Sequence, residues 1–208
     1  MPLLFQSKGE TYAFGVWEMT ESLDLIMSLP SVESSIVEAL KLSSLSRRQE
    51  WLTVRVLLHE LVGEIKEIAY TPVGKPYLVD GSYQISISHT KGYVAVIISP
   101  SSVVSIDIEA YGDRIKRVAH RVFHPDEFFY PLNEESTFYE LLIWSAKEVI
   151  VKTNKLSNIN FREDLCVQPF VLGAAGSFSV IENQTASKEH FKINYIANKS
   201  FVLTFNYR

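Results

Sequence analysis

"STFYELLIWSAKEVIVK", residues 136–152, contains neither proline nor glycine, and its apolar residues Leu141, Trp144, Val149 and Ile150 recur at helical steps. Ser145, Glu148 and Lys152 are related by i+3 and i+4 steps, so the same helix presents an acid and a lysine one turn apart. A second long helix precedes it. S-R-R-Q at 46–49 reads as a capping box opened by Ser46, after which Trp51, Val54, Leu58 and Leu61 keep the period and Gly63 sits where a C-terminal cap belongs, predicting a helix over 47–62.

Strands surround both helices. "TYAFGVWEM" (11–19), "YQISIS" (83–88), "YVAVIIS" (93–99) and the run at 103–109 read as strands, the middle two joined at "HTKG". After the second helix come "SFSVIE", "FKINYI" and "FVLTFNY". Shorter helices are expected over 31–45, over 114–120 and, limited by Pro125 and Pro131, within 124–132. Each half thus holds one long amphipathic helix and several strands. That hints at a duplicated α+β unit, although the halves share no obvious identity.

The bulk properties narrow the function. With 24 acidic against 20 basic residues the chain carries a net charge of −4, which argues against a surface dedicated to nucleic acid or an anionic membrane. Cys166 is the only cysteine, so neither an intrachain disulfide nor a multi-cysteine metal cluster can form, and Cys166 is expected to pack as a small apolar residue. No signal-like segment or uninterrupted apolar run long enough to span a bilayer occurs, and a cytoplasmic protein is the expectation.

The chemistry concentrates in "VVSIDIEAY", residues 103–111. Side chains alternate along a strand, so Ser105, Asp107 and Glu109 share one face while Val104, Ile106 and Ile108 share the other. Two acids about 7 Å apart on a buried strand raise each other's pKa unless a cation lies between them. Mg²⁺ suits such hard oxygen ligands, with Glu148 as the third candidate. The plain alternative is the solvent face of an edge strand beside a Lys-Glu-Lys helix surface.

Read together, "SIDIE" (105–109) and "WSAKEVIVK" (144–152) resemble the paired signature of the 4′-phosphopantetheinyl transferases of the surfactin synthetase-activating type. That signature is (V/I)-G-(V/I)-D followed, after a long gap, by (F/W)-(S/C/T)-x-K-E-(A/S)-x-x-K. "GKPYL" (74–78) and "SISHT" (86–90) are similar to two further motifs of the family in the same order, and Arg55 in the first long helix falls on its usual arginine. The likeness runs from about residue 45 to 155. It departs at Ser105, where the family has glycine, at Ser86, which replaces asparagine, at Val149, in a shortened gap from Asp107 to Trp144, and in the lack of a glycine near "TNKLS" (153–157).

The resemblance implies an α+β (α/β) fold of two pseudo-twofold-related halves, residues 1–101 and 102–208, each a small antiparallel-rich sheet on a long helix, with the cofactor in the cleft between them, in a monomer. It implies transfer of the phosphopantetheine arm of coenzyme A to a serine of an acyl or peptidyl carrier protein, releasing adenosine 3′,5′-bisphosphate. In that scheme Asp107, Glu109 and Glu148 hold Mg²⁺, Glu148 takes the serine proton, and Asp107 and Lys147 complete the catalytic set. Lys152, Lys75, Ser88 and His89 would contact phosphates, with Lys41 and Arg55 toward the 3′-phosphate. Each has a plainer reading: His89 as a cap, Lys75 as a solvated loop lysine, Arg55 as a surface ion-pair partner, Trp144 as core and His124 as a helix-opening residue. Lys147 either pairs with a carboxylate of the site or faces water. Two rival functions remain: a non-catalytic homologue that binds coenzyme A or a carrier protein, and an unrelated Mg²⁺ phosphohydrolase.

Overall fold

A computed structural model describes residues 2–153 and 158–208, so most of "TNKLS" lies outside the described residues. The chain divides into two compact units, Met1–Val104 and Ser105–Arg208, a boundary three residues beyond the 101/102 division read from the sequence. Both are mixed α/β with antiparallel sheets. Among the described residues no helix is long and apolar enough to cross a membrane.

The first unit runs β1 (Leu3–Lys8), β2 (Ala13–Glu18), α1 (Leu23–Met27), a 3-10 turn (Pro30–Ser35), α2 (Ile36–Leu40) and α3 (Leu45–Val62). The small hairpin β3 (Ile68–Tyr70) and β4 (Pro76–Leu78) follows, then β5 (Gln84–Thr90) and β6 (Tyr93–Ser99). The main sheet has the order β1-β2-β6-β5. Leu52, Leu57, Leu58 and Leu61 of α3 bury against Trp17, Val94, Val96 and Ile98, each such aliphatic side chain contributing about 1.5–3 kcal/mol.

The cap of α3 lies two residues earlier than the sequence suggests. Ser44 has the extended backbone an N-cap needs, and its Oγ accepts the Arg47 N–H at 3.1 Å. Ser46 is already helical, with its hydroxyl donating to Glu50, and Gln49 cannot close a capping box because its amide donates to Glu21 O at 2.7 Å. Gly63 ends the helix as expected, at φ +82. The helix expected over 31–45 is a 3-10 turn up to Ser35 that passes directly into α2, which ends at Leu40.

The second unit runs β7 (Val104–Ala110), a 3-10 turn (Ile115–Arg117), α4 (Ala119–Val122), a second 3-10 turn (Pro125–Glu127), α5 (Ser136–Lys152), α6 (Phe161–Asp164), β8 (Leu165–Val167), β9 (Ala175–Glu182), β10 (His190–Ala197) and β11 (Phe201–Tyr207). The sheet order is β7-β11-β10-β9-β8. α5 keeps the bounds read from the sequence and buries Leu142, Ile143, Ala146, Val149 and Ile150 against Val180, Phe191, Ile193 and Val202. The helix expected over 114–120 is divided at Val118, whose φ is −116.

The two units share a connection pattern. In the first, β2 leads through α3 to β5 and β6, and β6 lies between β2 and β5. In the second, β7 leads through α5 to β10 and β11, and β11 lies between β7 and β10. In both, the strand before the long helix pairs with the last strand of its unit.

Candidate active site

In the second unit β7 and α5 bring together Asp107, Glu109, Glu148 and Lys152. Asp107 is buried, with one oxygen on each of two partners: Oδ2 accepts the Ser145 hydroxyl at 2.7 Å, and Oδ1 accepts the Lys152 ammonium at 2.7 Å. Lys152 also donates to Ile106 O at 2.9 Å, and the Ser145 and Thr204 hydroxyls lie 2.7 Å apart. Glu109 Oε1 accepts the indole N–H of Trp144 at 2.8 Å.

The electrostatics show what the acids lack. Burial, then the charge of Asp107 and that of Glu148, push Glu109 up to about 7 despite the Trp144 hydrogen bond and Lys152. Glu148 is likewise held above the usual carboxylate range, by burial and then by Asp107, with Lys152 opposing. Among the described residues these three acids do not gather an oxygen from each to within 4.8 Å, as three repelling charges would dictate. An all-oxygen donor set in mutual repulsion fits a hard divalent cation such as Mg²⁺, which would draw the carboxylates in and lower the raised pKa values of Glu109 and Glu148.

Ser105 is fully buried, and its hydroxyl has no hydrogen-bond partner. A glycine or alanine there would remove an unsatisfied donor, so local packing gives no reason for serine at this position.

The first unit carries a cavity of about 390 Å³, within the range of small-ligand sites, whose lining includes Arg47, Glu50, Trp51, Tyr70, Pro76 and His89. Arg47 reaches both His89 Nε2 (2.9 Å) and Glu50 (3.2 Å). Arg55 is buried: it donates to Trp51 O at 2.9 Å and its guanidinium lies 3.0 Å from the Trp51 ring centroid. Burial lowers its pKa to about 10, which still leaves it charged at neutral pH. The turn holding Lys75 is closed by the Thr71 hydroxyl accepting the Lys75 N–H, with Gly74 at φ +85.

Residues 103–205 match the family model described as the 4′-phosphopantetheinyl transferase superfamily. That stretch is similar to the superfamily. The curated 4′-phosphopantetheinyl transferase AcpT of Salmonella typhi is 32% identical over 114 residues, 51% of this chain and 58% of the relative. AcpT of Escherichia coli strain K12 is 31% identical over 114 residues, 57% of its length. The match thus spans little more than half the length of these relatives.

Within residues 103–205, three side chains differ from their expected surroundings. Lys147 is neither at the acid cluster nor in water. It is fully buried, and its ammonium donates to Glu127 (2.7 Å), Phe161 O (2.7 Å) and Val122 O (2.9 Å), so its three N–H groups are committed away from Asp107, Glu109 and Glu148. Lys152 is the internal counter-ion of Asp107. Trp144 packs against Phe161 as a core residue and in addition holds Glu109.

In the first unit Lys41 is exposed, pairs with Glu38 at 2.6 Å and is not in the cavity wall, which takes its neighbour Leu42 instead. Arg55 is no surface ion-pair residue. His89 and the neighbours of Lys75 and Ser88 do reach the cavity. Sequence reasoning missed Arg47, Thr204 and Glu127. Arg47 had a signal in its place on the first turn of a capped helix. Thr204 and Glu127 had none, since their partners lie 59 and 20 residues away.

Proposed function

We propose that this chain is a Mg²⁺-dependent 4′-phosphopantetheinyl transferase of the surfactin synthetase-activating type, a cytoplasmic monomer that loads an acyl or peptidyl carrier protein from coenzyme A. The observation that carries this reading is the grouping of Asp107, Glu109 and Glu148, half-buried or deeper beside Lys152, with Glu109 and Glu148 held above the usual carboxylate range by burial and by Asp107. Mg²⁺ bound there would neutralise the pyrophosphate of coenzyme A during the displacement.

The chain's own groups account for the rest. The carrier serine Oγ bonds to the phosphorus bearing pantetheine, the bond from that phosphorus to the adenosine-side phosphate breaks, and adenosine 3′,5′-bisphosphate leaves. Glu148 accepts the serine proton, a task its raised pKa suits. Ser145 and Lys152 hold Asp107, and Trp144 holds Glu109, so the acids are oriented before substrate arrives. Lys152 exchanges Asp107 for a substrate phosphate. In the first unit Arg47 and His89 at the cavity, with Lys75 and Ser88 beside it, take the phosphates of the nucleotide half. Arg114, Lys116, Arg117 and Arg121, exposed after β7, suit an acidic carrier protein.

Incubating the protein with coenzyme A, Mg²⁺ and an apo carrier protein should add one phosphopantetheine to the carrier's intact mass. Absence of the adduct on acyl and peptidyl carriers alike overturns the proposal and favours the non-catalytic homologue.

A further inference from the structure

We propose that His124, Asp126 and Cys166 form a second metal site, suited to Zn²⁺ rather than Mg²⁺. Their ligand atoms, one from each side chain, all lie within 4.8 Å of one another, and His124 Nδ1 is 3.5 Å from Asp126 Oδ2. With Zn–S near 2.3 Å and Zn–N or Zn–O near 2.0–2.1 Å, tetrahedral ligands sit about 3.3–3.8 Å apart, so closure needs a contraction of about 1 Å. One nitrogen, one oxygen and one sulfur make a borderline-soft donor set, unlike the all-oxygen set at β7 and α5. Three protein ligands leave a fourth position for water.

The trio is held by a frame already built. His124 and Asp126 flank the start of the 3-10 turn Pro125–Glu127, while Cys166 is the middle residue of β8. Buried Glu127 joins the two: its Oε1 accepts the Val167 N–H at 2.7 Å, and its Oε2 accepts the His124 N–H at 2.6 Å and the Lys147 ammonium at 2.7 Å. Gln168 Nε2 lies 3.6 Å from the sulfur, where it would donate to a thiolate. Asp126 is open to solvent and Cys166 lies beneath it, so an ion has a path in.

Binding has a definite chemical balance. Burial and the charges of Glu127 and Asp126 hold the thiol protonated, so Zn²⁺ replaces the proton, forming the Zn–S bond and releasing one H⁺. His124 Nδ1 gives up the 3.2 Å bond from the Asp126 N–H, while Glu127 keeps the backbone of the turn capped. The ion would fasten the turn to β8 and so secure Glu127 under Lys147.

Co²⁺ titrated into the full chain in excess Mg²⁺ is the test, because only a thiolate gives sulfur-to-cobalt charge-transfer absorption. One Co²⁺ per chain with that band is expected, Zn²⁺ should displace it, and Glu109→Gln should leave it unchanged. Cys166→Ser should lose the band, and Asp126→Asn, at an exposed position that does not threaten folding, should weaken binding more than about tenfold. No sulfur band at saturating Co²⁺, or a band of equal affinity in Asp126→Asn and His124→Ala, overturns the site. Neither outcome depends on transferase activity.

Discussion

Two ion pairs, one in each unit, sit in opposite settings. In the first, Arg47, Glu50 and His89 border a cavity, and Lys41 pairs with Glu38 in open water. In the second, both side chains of the Lys147–Glu127 pair are 0% exposed, and Asp107 is held between Ser145 and Lys152. Ions at a wet rim exchange partners at little cost, which suits the capture of phosphates. Ions committed in a core lose several kcal/mol if one partner is removed, which suits holding a reacting group still.

Four experiments test that contrast, and the largest effect is expected at Glu148. Glu148→Gln should lower transfer by about 10²–10⁴-fold with unchanged far-UV circular dichroism, and near-normal kcat would remove the proposed base. Next, Lys147→Ala should destabilise the chain by about 3–5 kcal/mol in urea unfolding, because buried Glu127 loses its counter-ion. Lys41→Ala, at the exposed pair, should cost less than about 0.5 kcal/mol, and equal costs at the two sites would break the comparison.

The third concerns pH. In metal-free protein Glu109 titrates near 7 when folded and near the model-peptide value of 4.5 when unfolded. Below 4.5 both states are protonated. Between 4.5 and 7 only the unfolded chain gives up its proton, so stability falls as pH rises through that window and levels off above it. Across it the wild type should lose about 2–3 kcal/mol more than Glu109→Gln, and saturating Mg²⁺ should abolish the difference. Parallel stability curves without metal would mean that Glu109 is not crowded by the other acids.

The fourth pairs a rim residue with a core residue. Arg47→Ala should raise KM for coenzyme A about tenfold with kcat nearly unchanged, the mark of ground-state binding. Ser105→Ala should stabilise by up to about 1 kcal/mol by deleting an unpaired buried hydroxyl. A loss of stability there would reveal a partner for that oxygen.

Much of the site was legible because its parts are local. The face of α5 that carries Ser145, Glu148 and Lys152 follows from the helical period, and the common face of Ser105, Asp107 and Glu109 from the strand period. The break by backbone geometry at Val118 was not legible, since that residue is neither a glycine nor a proline that would announce one. The α3 cap was misplaced because Ser44 and Ser46 both fit a capping pattern, and only the extended backbone of Ser44, with its Oγ on the Arg47 N–H, separates them.

Periodicity and motif spacing were therefore enough to identify two helix-and-sheet units, the three acids and the family resemblance. They could not assign partners. Whether Lys147 serves Glu127 or Glu148, whether Arg55 is exposed or stacked on Trp51, and whether Cys166 meets His124 depend on which residues distant in sequence the core brings together. Helix and strand periods arise within a few residues of backbone, whereas burial and ion pairing arise from packing between elements, and only the folded chain specifies that packing.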